Sequence, residues 1–172
     1  MGRDGIALPV AGWPAPYAPP EVVEPAYALG IMRQESSFDV AAVSRSGALG
    51  LMQLMPATAR TVAKGLKVPL SIPALTADPD ANMRLGTAYL RELLDRFYGS
   101  YILAAAGYNA GPNRVDQWMA LNGDPTASFD AMLDWIELIP FAETRNYVQR
   151  VAENVTIYRA RAGDGRPVLD PR

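Results

Sequence analysis

The 172-residue chain contains neither histidine nor cysteine. Without cysteine there is no disulfide, no zinc thiolate and no thiol nucleophile. Without histidine there is no Ser-His or Cys-His couple, and the commonest transition-metal ligand is missing. Hydrolytic or transfer chemistry must run on carboxylates, hydroxyls and amides, and no metal or cofactor is implied. No apolar run reaches the ~18 residues of a membrane span. The opening Met1-Gly2-Arg3-Asp4-Gly5 lacks the charged-then-apolar pattern of a secretory leader, so a mature form or a segment of a longer chain is expected. Positive charge is not in excess either, the formal net charge being −2. That argues against sequence-independent nucleic-acid binding and against docking on anionic lipid, both of which need clustered Lys and Arg. A substrate should be neutral or recognised by hydrogen bonds.

What is present is ordinary for a soluble protein: 49% hydrophobic and 20% charged residues, in a length that fits one domain with a real core. Residues 1–24 are rich in Pro and Ala and read as an extended arm or linker, since Pro drives its predecessor to extended backbone. From Pro25 the pattern is helical, with Tyr27, Leu29, Ile31, Met32 and Phe38 as an apolar side. A second helical stretch starts at Pro56 and should stop at Gly65, before a loop from Pro69 to Pro79. Met83, Gly86, Leu90, Leu93, Leu94 and Phe97 recur at helical spacing between Asp80 and Tyr98, closed by Gly99. Tyr101 to Tyr108 is Ala-rich and apolar enough for a buried central helix. Shorter helices follow at Asn113 to Leu121 and Asp130 to Leu138. The last, Ala142 to Arg161, aligns Tyr147, Val151, Val155 and Tyr158. Residues 25–162 form the expected domain and 163–172 a flexible tail. No alternating strand or repeat is seen, so the expected class is all-α.

Glu35 is the best-placed carboxylate. It lies near the C-terminal end of its helix, where the macrodipole is negative and ionisation is disfavoured. Met32, Phe38, Met52 and Met55 are apolar neighbours that would desolvate it, in the same direction. An acid still protonated near neutral pH suits general-acid cleavage of a glycosidic bond. Twelve residues on begins Gly47-Ala48-Leu49-Gly50-Leu51-Met52-Gln53-Leu54-Met55-Pro56, a Gly-punctuated run whose apolar wall holds one amide, Gln53. Taken singly, Glu35 reads as an exposed helical Glu, Tyr108-Asn109 as a helix end, and Glu143 as a solvated first turn. Asp39, four residues after Glu35, is the alternative second acid for a paired-carboxylate glycosidase, which needs ~5–5.5 Å or ~6.5–9.5 Å between carboxyls.

In combination the segments are specific. Arg33-Gln34-Glu35-Ser36-Ser37-Phe38 is followed by Ser-x-x-Gly-Ala-x-Gly-Leu-Met-Gln-Leu-Met-Pro-x-Thr-Ala over Ser44 to Ala59. Tyr108-Asn109-Ala110-Gly111 and Glu143-Thr144-Arg145-Asn146-Tyr147-Val148 come next, in that order. Over residues 22–161, about four fifths of the chain, the sequence closely resembles the catalytic domain of the soluble lytic murein transglycosylases, the goose-lysozyme-like group of lysozyme folds.

The resemblance implies a lysozyme-like helical domain with a substrate cleft, acting on peptidoglycan glycan strands in the periplasm or cell envelope. An upstream domain outside this chain is compatible with it. Glu35 matches the family's single catalytic acid/base. Ser44, Gln53 and Met55 match residues that hold the N-acetyl-sugar chain beside it. Tyr108 and Asn109 match the pair whose hydroxyl and amide face the acid. Glu143 matches a second Glu that supports the cleft and is not a nucleophile, and Tyr147 corresponds to a family position whose alternative role is packing. Gly107 departs from the usual small polar residue or Ala before the Tyr. The implied reaction cleaves the β-1,4 bond between N-acetylmuramic acid and N-acetylglucosamine and closes a 1,6-anhydro ring. The alternatives are a goose-type lysozyme-like hydrolase and a non-catalytic peptidoglycan-binding module.

Overall fold

Among the described residues, four α-helices start on proline, at Pro25, Pro56, Pro79 and Pro112. The ring fixes φ near the helical value, and its missing N–H is one a first turn leaves unbonded anyway. The structure, a computed structural model, describes residues 12–166 and 168. The N-terminal eleven residues of the expected arm, and 167 and 169–172 of the expected tail, lie outside the described residues. Its helices are α1 (Pro25–Ser36), α2 (Pro56–Leu66), α3 (Pro79–Arg96), α4 (Tyr101–Ala110), α5 (Pro112–Asn122), α6 (Phe129–Glu137) and α7 (Ala142–Arg161). Among the described residues there is no strand, only isolated antiparallel bridges between Val43 and Leu49 and between Leu49 and Leu54. The fold is all-α. Tertiary packing divides the chain within α3, into Met1–Arg91 and Glu92–Arg172.

In the first unit α1 is buried without interruption from Ala26 to Met32. The expected one-sided stripe is therefore too narrow. Ala26, Ala28 and Gly30 alternate with Tyr27, Leu29 and Ile31, so the small residues admit neighbours on the faces the large ones leave. Phe38 does not belong to this helix: it lies past the end, at φ 70°. Helix α2 runs through Gly65 and stops on Lys67, which takes the left-handed conformation at φ 55°. There Val68 N–H bonds Ala63 O at 3.0 Å and Lys67 N–H bonds Lys64 O at 3.2 Å, the pattern of a left-handed helix stop formed without glycine. The loop before α3 includes a 3-10 turn, Pro73–Thr76. Asp78 then caps α3, its Oδ1 accepting from the N–H groups of Asp80 (3.0 Å) and Ala81 (3.1 Å).

In the second unit α4 is the central element, buried from Ile102 to Gly107 and packed against α5 and α7. Gly107, the departure noted in the sequence, fits because Phe97 occupies its face: a Cβ there would lie 2.9 Å from Phe97 Cε2. Helix α6 packs on α7 and on the 3-10 turn Pro125–Ala127, with Trp135 and Trp118 rings 6.4 Å apart. Helix α7 has the bounds expected for it, and Tyr147, Val151, Val155 and Tyr158 are all buried. Beyond it Asp164 N–H bonds back to Arg159 O at 2.9 Å, and Val168 is buried.

Candidate active site

Glu35 is the penultimate residue of α1 and half-buried. The chain leaves it through two consecutive non-glycine residues at positive φ, Ser37 (51°) and Phe38 (70°). Such strained backbone persists only where surrounding contacts over-determine it, and it concentrates at functional sites. The contacts are visible. Ser36 Oγ–H is shared between Leu51 O at 2.8 Å and Met32 O at 3.3 Å, tying the last turn of α1 to the segment between α1 and α2. From the arm, Trp13 lies under the Arg33 guanidinium at 4.7 Å, and the Tyr17 and Phe38 rings are 6.4 Å apart. Met32 and Met52 are fully buried, whereas Met55, extended backbone just before α2, is 42% exposed.

The segment 42–54 is a knot of backbone bonds. Leu49 and Leu54 exchange both N–H···O bonds at 3.0 Å, and Gly50 N–H reaches Ala42 O at 2.8 Å. Ser44 Oγ accepts from Ala48 N–H at 2.9 Å and shares a hydrogen with Ser46 Oγ at 2.9 Å. Gln53 is itself at φ 45°, and its Nε2 donates to Gly50 O (2.9 Å) and Ala42 O (3.1 Å). Both amide donors expected for a ligand are thus consumed at home, and Oε1 is left as the acceptor without a partner among the described residues. Asp39 is exposed and its Oδ1 accepts from Ala41 N–H at 2.9 Å in a local turn.

Tyr108 and Asn109, in the second unit, occupy the last turn of α4, and both are half-buried. Asn109 Oδ1 accepts from Thr144 Oγ1–H at 2.7 Å, which leaves the Nδ2 donors without a partner among the described residues. Thr144 is buried in the first turn of α7, beside the exposed Glu143. Arg145 fixes this turn by donating to Ile139 O (3.0 Å) and Glu137 O (3.3 Å). Tyr147 is only 6% exposed and forms part of the core stripe. In the first unit Ser44, Gln53 and Met55 therefore lie on or beside the segment to which Ser36, the residue after Glu35, is bonded, and the second links the Tyr108-Asn109 pair to the Glu143 turn through a hydrogen bond. Among the described residues no cluster of three or more metal-binding carboxylates is present.

Residues 17–129 match the model of the Transglycosylase SLT domain. The chain belongs to this family. Residues 138–167 also match the model of the soluble lytic transglycosylase helical domain. The soluble lytic murein transglycosylase of Escherichia coli K12 is 39% identical over 154 residues, 89% of this chain but 23% of that protein. An inactive glutamate-to-glutamine mutant of the lytic transglycosylase Slt from Pseudomonas aeruginosa is 38% identical with a TM-score of 0.77, covering 98% of this chain and 25% of the other. The 70-kDa soluble lytic transglycosylase of Escherichia coli gives the same TM-score at 35% identity, again over 98% of this chain and 25% of that one. The chain thus spans about a quarter of the length of these relatives.

Sequence reasoning overlooked one polar residue of this SLT domain. Asn82, on α3, is fully buried. Its Oδ1 accepts from Met52 N–H, and its Nδ2 donates to Leu49 O and Leu75 O, all at 2.9 Å. The signal was present: Asn82 falls in step with Gly86, Leu90, Leu93 and Phe97, a polar side chain on the face of a helix that is otherwise apolar.

Proposed function

We propose that this SLT domain is a peptidoglycan lytic transglycosylase of the cell envelope, with Glu35 as its single acid/base. The observation that carries the reading is Glu35 at the end of α1, one residue from a side chain bonded into the segment that holds Gln53 and Ser44. The names of its relatives, murein transglycosylases that include one at 39% identity over 154 residues, support the same class. So does the Pseudomonas relative, in which a Glu-to-Gln change gives an inactive enzyme.

The Glu35 carboxyl gives its proton to the oxygen linking N-acetylmuramic acid to N-acetylglucosamine. The bond from that oxygen to the muramic C1 breaks, and the glucosamine leaves as an alcohol. The carbonyl oxygen of the muramic 2-acetamido group bonds to C1 as the charge develops, giving an oxazolinium ion. Glu35, now a carboxylate, takes the proton of the C6 hydroxyl. The C6 oxygen bonds to C1, the oxazolinium opens, and a 1,6-anhydro end is left. No water is consumed. Attack from within the same sugar is favoured because both reacting groups are already tethered.

Gln53 enters with a narrower role than its amide suggests. With both Nε2 hydrogens committed, its Oε1 accepts from a sugar N–H or O–H. Ser44 and the exposed Met55 supply a polar and an apolar contact along the glycan. Asn109 offers its Nδ2 donors, Tyr108 a hydroxyl, and Glu143 supports its turn without acting as a nucleophile. Tyr147 contributes by holding α7 in place.

Digestion of purified peptidoglycan followed by mass spectrometry tests the reaction. Anhydro ends, lighter than hydrated ends by one water, are expected, and hydrated ends alone would assign a hydrolase. Glu35→Gln should lower the rate by at least ~10²-fold with unchanged thermal stability, since it removes the proton donor and keeps the shape. Glu143→Gln should lower it less. A reversed order would mean that the acid has been misassigned.

A further inference from the structure

We propose that Asn82 is a positioning residue for this reaction, shaping the segment 49–54 so that Gln53 Oε1 is presented to the glycan. The inference rests on the transglycosylase reading above and adds a residue that never meets the sugar. Asn82 is fully buried, and its three hydrogen bonds all go to backbone: Met52 N–H, Leu49 O and Leu75 O. A side chain in this place must accept once and donate twice. Asn satisfies that demand, an isosteric Asp lacks the donors, and Leu lacks both.

The bonds matter because of what they bracket. Leu49 and Met52 stand on either side of Gly50 and Leu51. Gly50 is pressed so closely to the amide that a Cβ would lie 2.3 Å from Asn82 Nδ2 and 1.9 Å from Leu75 O. One turn further along α3, a Cβ on Gly86 would lie 2.3 Å from Met52 Sδ, so Met52 is held from that side too. Gln53 then takes its position from Gly50, whose carbonyl accepts both its backbone N–H (3.0 Å) and its Nε2 (2.9 Å). Leu51 O, between the residues Asn82 grips, receives Ser36 Oγ–H from the turn that carries Glu35. One buried amide, packed on Gly50 and bonded to Leu49 and Met52 around it, therefore bears on the acceptor of Gln53, and on the end of α1 at one further remove.

The test is a double-mutant cycle of Asn82→Asp with Gln53→Ala, reading kcat and KM on peptidoglycan fragments alongside thermal unfolding of each variant. Asn82→Asp should lower kcat/KM by roughly 10- to 100-fold at neutral pH, the scale of a small misplacement of reacting groups. Adding Gln53→Ala to it should cost much less than Gln53→Ala costs the wild type, because the acceptor is already displaced. As pH falls, the introduced carboxyl gains a proton and with it one donor, so the ratio of variant to wild-type activity should rise. If the Asp variant does not fold, Asn82→Ser, which keeps a smaller donor and acceptor, enters the same cycle. Hydrogen exchange at the Gln53 side-chain amide should then accelerate together with that at Met52 N–H. Additive losses, or a Gln53 amide whose exchange does not follow position 82, would overturn the proposal while leaving an active transglycosylase. A wild-type chain that releases no anhydro ends would instead overturn the reading on which it rests.

Discussion

The two units hold their polar side chains by different means. In the first, Gln53 and Ser44 sit on a segment with almost no regular structure, shaped by crossed backbone bonds, two left-handed residues at the end of α1 and a buried amide from a helix thirty residues away. In the second, Tyr108 and Asn109 project from the last turn of an Ala-rich helix whose position follows from packing, and a single Thr144 hydroxyl completes the arrangement. The loop-built region depends on atoms that cannot be exchanged. The helix-built region depends on volume and periodicity, which many sequences supply.

Substitutions can break this contrast or sharpen it. Gly50→Ala should be the most damaging. It places a Cβ at φ 73° and 1.9 Å from Leu75 O, a backbone atom that cannot swing aside. A loss of about 3 kcal/mol or more is expected in chemical denaturation, and a variant within 1 kcal/mol of the wild type (about fivefold in the folding constant) would show that the segment is not over-determined. Thr144→Val should come next. It keeps shape but strips Asn109 Oδ1 of its donor in a half-buried place, for about 1 kcal/mol, and should lower activity less than any change at Glu35. Smallest is Asp116→Asn, which breaks the pair with Arg96. Both side chains are more than 40% exposed, so about 0–1 kcal/mol is expected, shrinking further in salt. An order in which Thr144→Val exceeded Gly50→Ala would reverse the comparison.

Helix-built features were the legible ones. The bounds of α7 could be read from its stripe because a long amphipathic helix repeats the same instruction at every turn. The four motifs in order carry the family in the sequence itself, since each residue type sits at a fixed separation. Local features without periodicity were harder. Gly65 was expected to stop α2 because Gly is the usual left-handed cap, yet Lys67 does so once Val68 N–H finds Ala63 O. Apolar residues around α1 suggested one face, but its Ala and Gly positions are buried as well, which depends on what packs there. The destination of Gln53's donors and the role of Asn82 lie in contacts 11 and 30 residues apart in sequence. Nothing in local pattern encodes such pairings.

A glutamine at a free surface samples many rotamers, and freezing it on a guest forfeits about 1.5–2 kcal/mol of that freedom. At Gln53 folding has already made the sacrifice, because Nε2 is pinned to Gly50 O and Ala42 O before any sugar arrives. On the proposed function a glycan would meet a rigid acceptor here, so the entropy lost at this contact on binding would be small and selectivity would follow from shape rather than from adaptation.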